Sequence, residues 1–148
     1  MEQPKITWLV RRADAEDFRK SPDYYAGVYD QSDDFAVYIQ IWNNRYGKET
    51  VKSLSDFGIS VTFDKEEDSV LLQYMYFQYG QKVLTPVITG NTGVVHFTDE
   101  VEISGTVNDG SDENTDNYIV VRLVISVPEN VRLKMNDLKS MTLGITKL

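Results

Sequence analysis

The chain has 148 residues, 41% of them hydrophobic, and a net charge of −8. That length suits one domain with a buried core, and the lack of cysteine removes disulfides, thiol nucleophiles and thiolate zinc sites together. The acidic balance repels phosphate backbones, and Arg11-Arg12 with Arg19-Lys20 is too small a basic cluster to offset it, so no nucleic-acid partner is expected.

The segment Met1–Lys5 opens without the apolar stretch of a secretory signal. No run nears the ~18 apolar residues a membrane-spanning helix needs. The expectation is a soluble product of a host cytoplasm with no membrane partner.

Ile6–Arg12 reads as a first strand with Ile6, Trp8 and Val10 on one face. Ala13–Lys20 suits one or two helical turns, ended by Ser21-Pro22-Asp23 because proline cannot continue a helix. Tyr24–Tyr29 is aromatic, a short strand or an ordered loop. Phe35–Trp42 gives the clearest strand. Phe35, Val37, Ile39 and Ile41 fall on one face, with Ala36, Tyr38, Gln40 and Trp42 on the other. Asn43–Lys48 is turn chemistry, since Asn and Gly tolerate positive φ.

Phe57, Ile59, Val61 and Phe63 alternate with polar or small residues and predict a half-buried strand. Lys65–Asp68 reads as a charged hairpin loop, and Ser69–Tyr79 as a long strand with apolar residues on both faces. Val83–Thr89 contains Pro86, which cannot donate to a ladder, so this strand belongs at a sheet edge. Val94–Thr98 and Val101–Val107 follow as strands, the second with Val101, Ile103 and Val107 inward. Asp109–Asn117 is an acidic loop. Tyr118–Val127 is a strong strand with Ile119, Val121, Leu123 and Ile125 on its core face. Val131–Met135 and Met141–Ile145 suggest the last two.

Roughly nine or ten strands at regular spacing, separated by turns, predict an all-β antiparallel two-sheet sandwich, Ig-like or jelly-roll-like, with at most one short helix near residues 13–20. Residues 1–148 read as a single domain, with no internal repeat or linker.

Catalytic chemistry finds little to use. His96 is the single histidine, lies at strand spacing and has no G-x-S-x-G elbow to partner it, so no catalytic residue is assigned and the chain is read as a non-enzyme. The carboxylates lie mostly in turns, where solvent keeps them ordinary. The loop containing Asp109, Asp112 and Asp116 is a weak calcium candidate, because clustered oxygens suit hard cations, although the EF-hand spacing is missing. A solvated loop is the plainer reading, and no cofactor is implied.

The aromatic residues point to contact surfaces. Tyr38 and Trp42 sit opposite the core face of their strand, and Tyr24, Tyr25, Tyr29 and Tyr46 lie in turn-like segments. These six are the interface candidates. They suit either a protein partner, where Tyr and Trp are enriched, or a glycan that stacks on their rings, as in carbohydrate-binding modules. A third possibility is that the protein's own segment 13–33 covers them.

The run Phe35–Gly47 (FAVYIQIWNNRYG), followed by Phe57–Phe63 and Ser69–Tyr79, resembles small β-sandwich virion proteins of tailed bacteriophages, such as capsid-decorating proteins and tail or baseplate adaptors. The resemblance covers most of the chain and is one of texture, with no specific motif. It implies a repeated structural subunit in a virion. Such a subunit binds other virion or scaffold proteins and forms a homo-oligomer through its β-surfaces.

Overall fold

The computed structural model describes residues 1–12, 19–20, 25–29, 35–98, 100–128 and 139–147, with backbone alone for 12, 19–20, 25–29, 35, 139–140 and 147. Eleven strands run in chain order: β1 (Ile6–Arg12), β2 (Arg19–Lys20), β3 (Tyr25–Tyr29), β4 (Phe35–Asn43), β5 (Phe57–Phe63), β6 (Met75–Tyr79), β7 (Lys82–Leu84), β8 (Val87–Thr89), β9 (Thr92–Phe97), β10 (Tyr118–Ile125) and β11 (Lys139–Lys147). Two 3-10 helical segments, Glu66–Tyr74 and Thr115–Asn117, interrupt them.

The strands form two antiparallel sheets packed face to face. One has the order β2-β1-β4-β10-β6-β7 and the other β3-β11-β5-β9-β8. The chain changes sheet at almost every step after β2, and stays in one sheet only at the β6–β7 and β8–β9 hairpins. Remove β1, β2 and β8 and the remaining orders are β3-β11-β5-β9 and β4-β10-β6-β7. The first strand then lies beside the last in one sheet, and the second beside the next-to-last in the other. That is the winding of a jelly roll, not the ABED/CFG division of an immunoglobulin sandwich. Of the two sandwiches the sequence allowed, the jelly roll is the one observed.

Period-two alternation builds the core. On β4 it directs Val37, Ile39 and Ile41 inward, on β5 Phe57, Ile59, Val61 and Phe63, and on β10 Ile119, Val121, Leu123 and Ile125. All are buried in one cluster with Phe77, Val95, Phe97, Met141 and Leu143 from the neighbouring strands. Phe57 stacks on Phe97 at 5.1 Å between ring centres, and Tyr79 meets Phe97 edge-on at 6.0 Å. Trp8 packs against this cluster half-buried. The side chain of Phe35 lies outside the described residues.

Several expectations are corrected. Arg19–Lys20 pairs with Val10 and Leu9 as strand β2, not as helix, and residues 13–18 lie outside the described set. The helical segment sits instead at Glu66–Tyr74, where Lys65–Asp68 was read as a loop and Ser69–Tyr79 as one long strand. There Leu71 and Leu72 are buried while Val70 is exposed. Apolar residues in a row were the cause: they fit a two-faced strand and a short helix equally well. Pro86 splits Val83–Thr89 into β7 and β8, which end the two different sheets, so the proline marks the crossing between two edges.

Val101–Val107 is not a strand beyond one bridge between Ile103 and Leu54, and Val107 is exposed rather than inward. Its backbone is held by scattered bonds with Val51, Leu54 and Asp116 and by asparagine amides. Asn43 Nδ2 donates to the carbonyls of Lys52 and Ile103, at 2.9 and 3.1 Å, while its Oδ1 accepts from Lys5 N. Asn44 Nδ2 donates to Glu49 O and Gly105 O, and Asn117 Nδ2 to Ser104 O and Thr106 O. Gly105 is required by close approach, since a Cβ there would lie 2.3 Å from the carbonyl of Val51. Val131–Met135 lies outside the described residues.

Candidate interaction surface

Trp42 is fully buried, so its expected place on an exposed patch is corrected. It does point away from the core, but the outer face of the sheet is covered at that corner. The Tyr118 ring lies 4.7 Å from it and the Arg45 guanidinium 4.9 Å, while Trp42 Nε1 donates to Gln40 Oε1 at 2.8 Å. Tyr118 belongs to β10 and registers directly opposite Trp42. Among the described residues the cover is made by the acidic loop and the strand it leads into.

That loop is not merely solvated. Arg45 Nε donates to Gly110 O, Gln40 Nε2 reaches Asp112 Oδ1 at 3.4 Å, and Tyr118 Oη donates to Asp112 O at 2.6 Å. Gly110 is buried with φ +79, and a Cβ there would overlap the Tyr46 ring. Asp109 Oδ1 accepts from Ser111 N and Asn114 Nδ2. These donors, the Ser111 amide first, hold the Asp109 carboxyl below its ordinary value. Burial, and then the charge of Asp112, push the Tyr118 phenol up. Among the described residues no three His, Cys, Asp or Glu side chains converge as a metal ion would need. Asp109, Asp112 and Asp116 are thus not brought together, and Asp109 is taken up by the loop's own donors.

Of the other aromatic candidates, Tyr38 and Tyr46 have described side chains, and each meets an arginine. Tyr38 is half-buried under the Arg11 guanidinium, 4.4 Å from its ring centre. Tyr46 is 60% exposed and stacks against Arg45 at 4.8 Å. Tyr25 and Tyr29 lie on β3, an end strand, and are described by backbone alone, while Tyr24 lies outside the described residues. His96 is exposed and meets Asp56 at 2.5 Å.

Further exposed apolar side chains lie on the two end strands and beside them. Val83 on β7 is 59% exposed, Val87 and Ile88 on β8 are 73% and 46%, and Val70 is 38%. These strands end the two sheets, and all three residues of β8 are exposed. Val70 and Ile88 share the wall of an open hollow of about 910 Å³, with Lys65, Glu66 and Gln73 at its rim. On β7 Lys82 pairs with Glu100 at 2.9 Å, which lowers the Glu100 pKa. The sequence carried this signal in Val83, Val87 and Ile88 flanking an edge-marking proline. Attention to aromatic rings passed over it.

Comparisons with family models, with curated proteins and with solved structures found no match. Among the described residues no helix is long and apolar enough to cross a membrane.

Proposed function

We propose that this chain is a non-catalytic structural protein that assembles with further copies of itself through the β7–β8 edge, as a capsid accessory or tail adaptor of a bacteriophage virion. The observation that carries the reading is the exposed apolar side chains on the two end strands, Val83 on β7 and Val87 and Ile88 on β8, with Val70 sharing a hollow with Ile88. Soluble proteins guard strand ends with charge, proline or a covering segment, because open ladders recruit other strands. Here Pro86 separates the two end strands, yet both keep exposed valines.

A second copy is the natural occupant. Two identical edges can meet antiparallel about a twofold axis, so that each Val87-Ile88 pair covers its equivalent. Jelly rolls recur in viral capsid proteins, which fits the virion role by analogy of fold. Static light scattering over rising protein concentration tests the assembly. A defined oligomer that Val87→Asp with Ile88→Asp reduces to a monomer supports it. A wild-type chain that stays monomeric throughout overturns it. Mass spectrometry of particles purified from the source lysate tests the virion role, which requires the chain in stoichiometric amounts.

A further inference from the structure

We infer that the outer face of the six-stranded sheet carries a binding pocket for a carboxylate-bearing sugar, with Arg122 as its anchor. The pocket holds about 300 Å³ and is lined by Tyr38, Gln78, Gly80, Val120 and Arg122. That volume lies at the small end of ligand sites. The strand register builds it: Arg122 on β10 stands between Tyr38 on β4 and Gln78 on β6, and Arg11 on β1 stands opposite Tyr38. Four strands thus place two guanidinium groups, a phenol and an amide in one row on one face.

The Arg122 side chain is incompletely used. Its Nη1 reaches Gln78 Oε1 only at 3.4 Å, and its Nε is buried with no hydrogen-bond partner. An unpaired buried donor on a charged group is costly, and the large majority of such groups find an acceptor. Among the described residues no carboxylate lines the pocket, although the chain carries a net charge of −8. A carboxylate entering the pocket would supply the counter-charge that its described lining lacks. The two Nη atoms of a guanidinium form a planar fork that matches a carboxylate in two parallel bonds.

A sugar ring fits the rest of the lining better than an acidic side chain does. The Gln78 amide and Tyr38 hydroxyl offer donors and acceptors to ring hydroxyls, and Val120 gives an apolar wall to ring carbons. An aspartate or glutamate side chain would leave those groups without partners. The pocket adjoins β7, where Val83 pairs with Gln78, but Val87 and Ile88 lie on the other sheet, so substitutions there separate it from the assembly.

Calorimetric titration of the intact chain with trigalacturonate at low salt tests the inference, with neutral galactotriose as the comparison. Saturable binding is expected for trigalacturonate, weaker by at least about tenfold for galactotriose and by a similar factor in Arg122→Met. Arg122→Lys keeps the charge without the fork and is expected to lose most of the affinity, which preserves the test should Arg122→Met not fold. The Val87→Asp/Ile88→Asp variant is expected to bind as wild type does. No saturable binding, equal binding of galactotriose, or undiminished binding by both Arg122 variants would overturn the inference. Tighter binding of a glutamate-rich peptide that Arg122→Met abolishes would overturn it in favour of a protein ligand.

Discussion

Two regions of this sandwich solve opposite problems. Around Trp42 and the asparagines, irregular chain is covered and its polar groups are satisfied. Asn43, Asn44 and Asn117 are each buried, and each side-chain amide donates to two backbone carbonyls. Along β7 and β8 the backbone is regular, yet apolar side chains face outward from two end strands. The first region is finished within one chain. The second leaves apolar side chains facing solvent. Order of the backbone and completeness of the surface are therefore separate properties.

The comparison can be broken at either region, and the largest effects belong to the covered corner. Trp42→Ala should destabilise the chain by about 4 kcal/mol, since a fully buried indole is lost and the loop over it loses its seat. Urea unfolding at concentrations dilute enough to keep the chain monomeric would measure it; a change below 1 kcal/mol (order of magnitude ~1) would mean the corner is not the closed packing described. Asn43→Ala comes next, at about 2 kcal/mol, because Lys5 N and the Lys52 carbonyl lose their side-chain partner together while the Ile103 carbonyl keeps Leu54 N alone. The same unfolding assay reads it.

The edge should behave in the contrary way. Val87→Asp with Ile88→Asp is expected to change monomer stability by no more than about 0.5 kcal/mol, as surface substitutions do, while abolishing self-association. A large loss of stability in the dilute monomer would place these side chains inside the fold.

The smallest effect concerns pH. The Tyr118 phenol titrates above its ordinary value, so the folded state favours its neutral form. Its contribution to stability is fully present below the unfolded tyrosine value near about 10, and is lost as pH rises through the higher folded value. Absorbance of tyrosinate should show a late-titrating component in the wild type that Tyr118→Phe removes. An unchanged titration curve would mean that the loop does not shield this ring.

How much of this was legible in the sequence follows from how local each determinant is. The core faces of β4, β5 and β10 could be read residue by residue, because alternation is a property of neighbours in the chain. Ser69–Tyr79 could not. Val70, Leu71 and Leu72 fit either period, and the choice was made by which two of them the core admits. Val101–Val107 has the composition of a strand, but its backbone bonds go to Val51, Leu54 and Asp116 and to distant asparagine amides, so no ladder extends past the one bridge. Trp42 looked exposed because Tyr118, which covers it, comes from the far end of the chain. Arg122 interrupts an apolar face in the sequence, yet the pocket beside it depends on a register across four strands.

The most direct measurement is amide hydrogen exchange of the wild-type chain at low and high protein concentration. If β7 and β8 are the surface through which copies meet, amides in Lys82–Thr89 should exchange more slowly as concentration rises, while those of the Trp42 corner stay unchanged. Exchange in Lys82–Thr89 that does not depend on concentration, or protection that gathers on another strand, would contradict the account.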